Sequence, residues 1–320
     1  MTLFDERPIR PMLAKTGEVF DDEKYFFEPK WDGLRVILLL QEGRIELQNR
    51  NLRDATGSYP ELQKIRDRIR AKTAILDGEV VVLREDGIPD FGRLQARFGV
   101  DDQKRVKILA KTTPVTYVAF DLLHIDSQDI ISRPLVERKK RLKSIVRDSP
   151  YLLYGDHIEA DGTHFFKEAT SLGFEGVIAK ESQSQYVPGL RTDYWIKTKK
   201  VETTDCVVVG FNEGEGARVS TFGSLILAAY GENRKLRHIG NMGGGFSNKT
   251  LDDLRKKLSR IVTKTATVEG SVDSPTPVTW VKPRLVVEVA YMTVTADGRL
   301  RFPRFKRLRT DKSPMECKLP

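Results

Sequence analysis

The stretch Glu28-Pro-Lys-Trp-Asp-Gly-Leu-Arg35 places a lysine just before a glycine turn and an apolar strand. Residues 35–40 and 44–48 flank Gln41-Glu-Gly43, a pattern that predicts a β-hairpin after Lys30. Acidic residues lie on both sides of Lys30, which could be a nucleophile if nearby cations favoured its neutral amine. Taken alone, however, the stretch is better interpreted as a surface lysine at a turn.

The first two hundred residues continue as a mixture of strands and helices. Runs rich in Val, Ile, Leu and Phe predict buried strands at residues 74–83 and 115–123. Apolar residues at helical spacing predict helices at residues 59–71 and 134–147. The basic residues of the second helix are interpreted as a solvated face.

The pattern changes near residues 200–205, where a block dominated by short strands begins. One helix, at residues 250–261, interrupts these strands. About five short strands with one helix are typical of a small barrel such as the OB-fold. The sequence therefore predicts an α+β protein with one domain at residues 1–202 and a second at residues 203–320.

Basic residues are concentrated in the second of these domains. The 320-residue chain has a formal net charge of +9, and residues 201–320 contribute +7, from 20 Lys+Arg against 13 Asp+Glu. The densest stretch, residues 299–312, contains seven basic residues. Such a concentration is typical of a surface that binds the phosphates of a nucleic acid.

The composition argues against several other classes of protein. Hydrophobic residues make up 39% of the chain, which is enough for folded cores. No apolar run approaches the roughly 18 residues of a membrane span. Cys206 and Cys317 are too few for a disulfide framework or a zinc site. We therefore expect a protein without a membrane segment in a reducing, cytoplasmic setting.

Four further fragments place charged or aromatic side chains at strand ends. They are Leu76-Asp-Gly-Glu-Val-Val-Val82, Phe120-Asp-Leu-Leu123, Glu175-Gly-Val-Ile-Ala-Lys180 and Trp195-Ile-Lys-Thr-Lys199. Lys197 and Lys199 share one face of their strand, because strand side chains alternate with a period of two. Singly, each fragment has an ordinary interpretation, with Phe120 as a core aromatic and Glu79 as an exposed strand-end acid.

Together with Lys30-Trp-Asp-Gly33, these fragments resemble, in order and spacing, the motifs of the covalent nucleotidyltransferases. That superfamily contains ATP-dependent DNA ligases, RNA ligases and mRNA capping enzymes. The stretch Arg304-Phe-Lys-Arg-Leu-Arg-Thr-Asp-Lys312 resembles the last motif of the DNA ligases. The resemblance covers essentially the whole chain and implies a nucleotidyltransferase (adenylation) domain followed by an OB-fold domain. Residues 27–35 and 301–304 look closest to the minimal ligase module of prokaryotic end-joining DNA ligases.

The resemblance implies an ATP-dependent DNA ligase that works through a covalent nucleotide. Lys30 would attack the α-phosphate of ATP to form lysyl-AMP, AMP would pass to the 5′-phosphate of a nick, and the 3′-hydroxyl would displace it. Lys197 and Lys199 would favour the neutral amine of Lys30 and hold the phosphates. Glu175 is the implied ligand of a divalent metal, Mg or Mn, which offsets charge on the triphosphate.

The resemblance also implies contacts along the nucleotide. Glu79 would accept a hydrogen bond from a ribose hydroxyl, Phe120 would stack on the adenine, and Glu28 would lie near the adenine edge. Arg35 and Arg50 would contact the ribose–phosphate region, and later the 5′-phosphate of the nick.

Two of the implied binding residues keep an alternative. Arg50 follows Asn49, where the family more often has Ser-Arg, so a plain hairpin arginine is also credible. Lys180 would lie in the pocket or, alternatively, at a solvated strand end.

Residues far from Lys30 in sequence would close over the triphosphate when the OB domain swings. These residues are Arg309, Asp311 and Lys312.

Other functions stay open at this point. An RNA ligase or guanylyltransferase belongs to the same superfamily; the ending from Arg309 to Lys312 counts against many RNA ligases but not against capping enzymes. A non-catalytic DNA-end-binding module is an alternative of another class, and the intact Lys30 and Glu175 argue against it.

The expected partner is nicked double-stranded DNA, bound by a monomer at the nucleoid. The resemblance also admits Ku and separate end-joining polymerase or nuclease proteins as partners.

Overall fold

The computed structural model describes residues 2–274, 276–295 and 297–320, and the chain divides into two units, Met1–Lys199 and Lys200–Pro320. The strands of the first unit are β1 (Leu13–Thr16), β2 (Asp22–Pro29), β3 (Leu34–Gln41), β4 (Arg44–Asn49), β5 (Ala74–Val81), β6 (Thr116–Ile125), β7 (Gln128–Asp129), β8 (Leu152–Tyr154), β9 (Ile158–Ala160), β10 (Gly176–Glu181) and β11 (Arg191–Lys199). Its α-helices are α1 (Phe91–Gln95), α2 (Gln103–Thr112), α3 (Leu135–Ile145) and α4 (Gly162–Leu172).

The strands of the first unit form two sheets. The first sheet has the order β1-β11-β10-β2-β9, and the second has the order β4-β3-β5-β6-β7, with β8 beside β6. Strand β3 is almost continuously apolar because both of its faces are buried. Leu38 and Leu40 belong to one apolar cluster, whereas Ile37 and Leu39 belong to another. The second sheet therefore has hydrophobic cores on both faces.

Most of the predicted elements of the first unit are confirmed. The hairpin after Lys30 is formed by β3 and β4, and the two predicted buried strands are β5 and β6. The helix predicted at residues 59–71 is instead the 3₁₀ helix Pro60–Arg68. Its buried residues Leu62 and Ile65 are three positions apart, the spacing that a helix with three residues per turn places on one face.

Helix α3 is also confirmed, but the interpretation of its basic residues as a solvated face is wrong at two positions. The side chains of Arg138 and Lys139 are only 0% and 1% exposed. Arg138 is held in a bidentate ion pair by Asp121, whose side chain is also 0% exposed. The helix thus turns two of its cations inward, because buried carboxylates are available to pair with them.

The second unit contains one main sheet and one α-helix among the described residues. Its strands are β12 (Glu202–Asn212), β13 (Ser224–Tyr230), β14 (Leu236–Met242), β15 (Val278–Tyr291), β16 (Thr293–Val294), β17 (Leu300–Arg301) and β18 (Arg304–Leu308), and its helix is α5 (Asn248–Ser259). The main sheet has the order β14-β13-β12-β15-β18. A parallel bridge joins Gly244, just after β14, to Arg304 at the start of β18.

This strand order, with one helix between its third and fourth strands, is the arrangement expected of an OB-fold and confirms that prediction. The apolar stripe of α5 is buried at Leu251, Leu254 and Leu258. Ser247 caps the helix by accepting a hydrogen bond from the Thr250 N–H at 3.2 Å. In neither unit does a described helix have the length and hydropathy of a membrane-spanning segment.

Candidate active site

A pocket of about 660 Å³ lies in the first unit and is lined by residues from both of its sheets. Eight of the residues predicted for the site line this pocket: Glu28, Lys30, Arg35, Arg50, Glu79, Phe120, Lys180 and Lys197. Two further predicted residues, Glu175 and Lys199, belong to the same group of side chains because both take part in ion pairs around Lys30.

Strand pairing explains why residues far apart in sequence meet at Lys30. The end of β2 pairs with the start of β10, and the Lys30 N–H donates to the Gly176 carbonyl at 2.8 Å. On the other side of β10, Gly176 pairs with Lys199 at the end of β11. A Cβ on Gly176 would overlap the Thr198 carbonyl oxygen, so glycine is required for this close approach. Three strand ends therefore bring Lys30, Glu175 and Lys199 together.

Glu175 is the acidic centre of this group. One carboxylate oxygen contacts the Lys30 Nζ, and the other contacts the Lys199 Nζ. Burial opposes the charged form of Glu175, but the two ammonium groups outweigh burial and lower its pKa. A carboxylate with low pKa beside the nucleophile is available to cations across the neutral pH range.

Lys197 lies among cations rather than beside an acid. Burial lowers the pKa of its amine, and the nearby charges of Arg191, Lys199, Lys30 and Arg50 lower it further. The strongest charge effects on Lys197 therefore all come from other cations. This wall of the pocket has an excess of positive charge, which suits a phosphate chain.

Arg35 is held in place by a carboxylate that sequence reasoning missed. Asp77 accepts hydrogen bonds from Arg35 Nε at 2.5 Å and from Arg35 Nη2 at 2.6 Å, and Tyr186 donates to the same carboxylate at 2.6 Å. Burial opposes the charge on Arg35, but Asp77 outweighs burial and raises the pKa of the guanidinium. The sequence did contain a sign of this role, because Asp77 is a carboxylate within the apolar strand β5, and a buried carboxylate needs a cation as its partner.

Phe120 is both a core residue and part of the pocket wall. It is 6% exposed and packs in an apolar cluster with Trp195. The Arg35 guanidinium carbon lies 4.6 Å from the Phe120 ring centre, and the Lys180 Nζ lies 4.2 Å from it. Burial lowers the pKa of Lys180 to about 8, against the opposing effect of Glu28. The solvated alternative for Lys180 is excluded, since this side chain is 2% exposed.

Two of the acids that line the pocket, Glu28 and Glu79, have different surroundings. Glu28 is buried, and its carboxylate accepts hydrogen bonds from Lys139 and Lys180. Glu79 is half-buried on β5, and burial raises its pKa to about 7, more than Arg35 and Lys30 lower it. Burial therefore favours the neutral form of Glu79 more than in an ordinary carboxyl group, whereas Glu28 is tied into ion pairs.

The residues present suit a metal that comes with its own phosphate ligands. No group of three or more His, Cys, Asp or Glu side chains able to hold a metal occurs among the described residues. Glu175 offers one carboxylate beside the cation-rich wall. Mg²⁺ commonly uses one or two carboxylates, several waters and substrate phosphates, so a single Glu175 fits such an ion.

The remaining predicted residues lie in the second unit and form their own ion-pair network. Asp205 on β12 accepts hydrogen bonds from Arg309 Nη1 at 3.0 and 3.1 Å and from Lys312 Nζ at 2.6 Å. Asp311 accepts two hydrogen bonds from Arg309, at 2.9 Å each, and these lower the pKa of its carboxyl to about 2. Asp205 was not singled out from the sequence.

Comparison with known families gives matches to both units. A family model described as "ATP dependent DNA ligase domain" matches residues 11–199, and one described as "ATP dependent DNA ligase C terminal region" matches residues 218–312.

Curated relatives match nearly the whole chain but are longer than it. The chain is 36% identical over 314 residues to the "Multifunctional non-homologous end joining protein LigD" of Mycolicibacterium smegmatis, an alignment that covers 96% of this chain and 39% of the relative. It is 31% identical over 331 residues to a "DNA ligase" of Thermococcus fumicolans, with 97% and 57% covered. The chain therefore spans less than two thirds of the length of these relatives.

Solved structures agree with these matches. The structure called "mycobacterial DNA ligase D complexed with ATP and MES" is 31% identical, covers 98% of both chains and has a TM-score of 0.55. The ligase domain of M. tuberculosis LigD is 32% identical, covers 97% of both chains and has the same TM-score. With a family model over more than half of its length and relatives above 30% identity, the chain belongs to the ATP-dependent DNA ligase family.

Proposed function

We propose that this chain seals nicks in duplex DNA through a lysyl-AMP intermediate on Lys30. The observation that supports this most directly is the position of Lys30, which lines a pocket large enough for a nucleotide and contacts Glu175 beside the cations of β11. A lysine that lined no such pocket could not reach the α-phosphate of a bound nucleotide. The position therefore favours nucleotidyl transfer over simple DNA-end binding.

The proposed reaction consists of three in-line transfers in one pocket. The Lys30 amine loses a proton and attacks the α-phosphate of ATP, an N–P bond forms, and the bond to pyrophosphate breaks. The 5′-phosphate oxygen of a nick then replaces Lys30 on that phosphorus. Finally, the 3′-hydroxyl oxygen attacks the 5′-phosphate, and AMP leaves with its own phosphate.

The pocket residues have distinct proposed tasks in these steps. Lys197 and Lys199 stabilise the charge that develops on the transferred phosphate. Arg35, fixed by Asp77, holds the ribose–phosphate region, while Phe120 provides the surface on which adenine stacks. Because Arg35 is preorganised by a bidentate ion pair, little reorganisation is needed when the nucleotide enters.

The remaining proposed contacts concern the rest of the nucleotide and the metal. Glu79 accepts a hydrogen bond from a ribose hydroxyl, and Arg50 binds the 5′-phosphate of the nick. Lys180 lies with Glu28 near the edge of the adenine base. A divalent ion, Mg or Mn, when bound with Glu175, would offset the charge of the triphosphate and of the departing pyrophosphate. Residues of the second unit orient that pyrophosphate in this proposal, namely Arg309, Asp311 and Lys312.

The test is covalent labelling followed by a chase. The chain is incubated with α-labelled ATP and Mg²⁺, and nicked duplex DNA is then added. We expect a labelled protein that nicked DNA discharges into sealed product. A chain that is never labelled, or whose label nicked DNA does not remove, would contradict the proposal.

A pair of lysine variants identifies the nucleophile. Lys30→Ala should abolish the labelled adduct, because Lys30 supplies the nitrogen of the proposed N–P bond. Lys24→Ala removes an exposed lysine from β2, the strand that ends just before Lys30, and should leave labelling unchanged. Labelling of Lys30→Ala at the wild-type level would exclude Lys30 as the nucleophile.

We also propose that the protein acts in end joining, as a monomer at the nucleoid in the cytoplasm. The support is its similarity to a relative named for non-homologous end joining. Ku and end-joining polymerase or nuclease proteins are the proposed partners. Stimulation of sealing by Ku on two-ended DNA, but not on a nicked circle, tests this role. Sedimentation of the free chain tests the monomer.

A further inference from the structure

A buried ion-pair cluster adjoins the pocket and includes a residue outside every predicted motif. Lys139 Nζ donates to Glu28 Oε1 at 2.6 Å, and Lys180 Nζ donates to Glu28 Oε2 at 2.7 Å. All three side chains are between 1% and 3% exposed. Glu28 and Lys180 are among the pocket-lining residues, whereas Lys139, on helix α3, lies behind them.

The same ammonium group also reaches the backbone behind Phe120. Lys139 Nζ donates to the Gly155 carbonyl at 2.6 Å. Gly155 packs closely on β6: its N–H donates to the Ala119 carbonyl at 2.7 Å, and a Cβ at this position would lie 3.0 Å from the Phe120 Cβ. One side chain therefore ties the Glu28 carboxylate to the backbone that supports the Phe120 ring.

Neutralising the Glu28 charge does not by itself require this second ammonium group. Lys180 alone would neutralise Glu28, so Lys139 adds an unbalanced charge to a region without solvent. Removing an ammonium group from water is costly, and a buried ion cluster is therefore weak evidence for a role in stability alone. The cost points to a role in fixing the geometry of the pocket.

We propose that Lys139 is a positioning residue for recognition of the base, an inference that rests on the proposed function. With one oxygen held by Lys139 and the other by Lys180, the Glu28 carboxylate cannot rotate, and each oxygen keeps a free acceptor site. A base that stacks on Phe120 then meets an acceptor at a fixed place. The amino group of adenine can donate to it, whereas guanine has a carbonyl oxygen at that ring position.

The test compares two lysines of one helix. Lys139→Met removes the buried ammonium, and Lys140→Met removes an exposed one from the next position of α3. The readouts are lysyl-AMP formation against ATP concentration and labelling by GTP. For Lys139→Met we expect KM for ATP to rise about tenfold, the rate at saturating ATP to stay within about twofold, and the preference for ATP over GTP to fall about tenfold. Lys140→Met should match the wild type.

A second background shows whether Lys139 acts through Glu28. In a Glu28→Gln chain, Lys139→Met should change KM no further, because the two residues would act as one unit. An unchanged KM in Lys139→Met, a loss confined to the saturated rate, or an equal effect in both backgrounds would overturn the inference. These outcomes require a wild-type chain that forms lysyl-AMP normally. A wild-type chain without adduct would overturn the proposed function, and this inference with it.

Folding is followed in the same samples. Lys139→Met removes the extra charge but leaves the Gly155 carbonyl and one Glu28 oxygen without this donor, so Tm is measured for each variant and KM is compared only at temperatures where the variant is folded. If it does not fold, Lys139→Gln keeps a donor directed at Glu28, and its KM is expected between those of Lys139→Met and the wild type. Failure of both variants to fold would identify Lys139 as a structural residue and overturn the positioning role.

Discussion

At the scale of single residues, the pocket depends on acids that hold its cations in place. Arg35 could adopt many rotamers in a pocket of this size, but Asp77 fixes its guanidinium at two nitrogens. Asp77 is fully buried, and its second oxygen also accepts from Tyr186. Such a network stabilises the fold and the site together, because the same bonds serve both.

The variant Asp77→Asn should therefore lose both stability and nucleotide binding. It leaves the Arg35 charge without its carboxylate, which we expect to cost about 2–4 kcal/mol, less than for a fully buried pair because Arg35 is partly exposed. Chemical denaturation measures this loss. Glu46→Gln is the control, since the exposed pair of Glu46 with Arg7 should contribute less than about 1 kcal/mol. Equal losses in the two variants would contradict the assigned role.

Glu79 gives a pH signature. Its pKa is raised by burial from 4.5 to about 7, so between these values the folded chain holds a proton that the unfolded chain has released. Ionising Glu79 therefore destabilises the fold as the pH rises through this window. Relative to the wild type, Glu79→Gln should gain about 1–2 kcal/mol between pH 4.5 and pH 8, after allowance for solvent screening. Thermal unfolding of both proteins across this range measures the gain, and a difference independent of pH would exclude it.

At the scale of elements, three strand ends create the reactive centre. The bond from Lys30 N–H to the Gly176 carbonyl fixes the register of β2 on β10, and the pairing of Gly176 with Lys199 fixes β11. A shift of one residue in either pairing would point Lys30 or Lys199 to the opposite face. The chemistry is therefore encoded in backbone register as well as in side-chain identity.

The variant Gly176→Ala tests this dependence on register. Its methyl group would overlap the Thr198 carbonyl oxygen, so β10 and β11 must separate, at a cost of about 2 kcal/mol or more. We expect the rate of adduct formation to fall at least tenfold, since displacement of Lys30 by about 1 Å is enough for such losses. Gly57→Ala is the control, because its nearest neighbour would lie 3.8 Å away. Normal labelling of folded Gly176→Ala would show that the register tolerates this movement.

The elements also show what sequence patterns can and cannot reveal. The spacing of Leu135, Leu142 and Ile145 was enough to predict α3, because an apolar stripe depends only on local periodicity. The inward direction of Lys139 was not predictable in the same way. Its partner Glu28 is 111 positions away, and only the tertiary fold brings a buried carboxylate to that side of the helix. The role of Asp77 on β5 was not predicted either, because its partner Arg35 lies 42 positions away on the neighbouring strand β3.

At the scale of the whole molecule, the two units differ in charge. Residues 201–320 contribute +7 of the net +9, and β18 presents Arg304 and Lys306 to solvent. Residues 1–200 contribute only +2, from 34 Lys+Arg against 32 Asp+Glu. Composition and motif order were enough to predict this division and both folds. The ion pairs of Asp205 could not be predicted, since they depend on how β12 and the C-terminal segment pack.

This division of charge predicts different salt sensitivities for two steps. Binding of nicked DNA should weaken steeply with salt, because phosphate contacts release counterions, whereas formation of lysyl-AMP should depend on salt far less. Lys306→Gln should lower the slope of log affinity against log salt by about one. Titrations of labelled nicked DNA and parallel adduct assays at several salt concentrations measure both. Equal slopes for the two steps would contradict the division.

The cations around Lys197 also affect how this protein should be handled. Arg191, Lys199, Lys30 and Arg50 all lower the pKa of Lys197, so we expect a small multivalent anion to bind beside it. We expect inorganic phosphate or sulfate in a buffer to bind this wall and to compete with a nucleotide there. In phosphate buffer we expect a higher apparent Tm and a weaker apparent affinity for ATP. In chloride-based buffers at matched ionic strength, we expect the full affinity for ATP to be measured. The anion of the buffer must therefore be kept the same whenever Tm or ATP affinity is compared between samples.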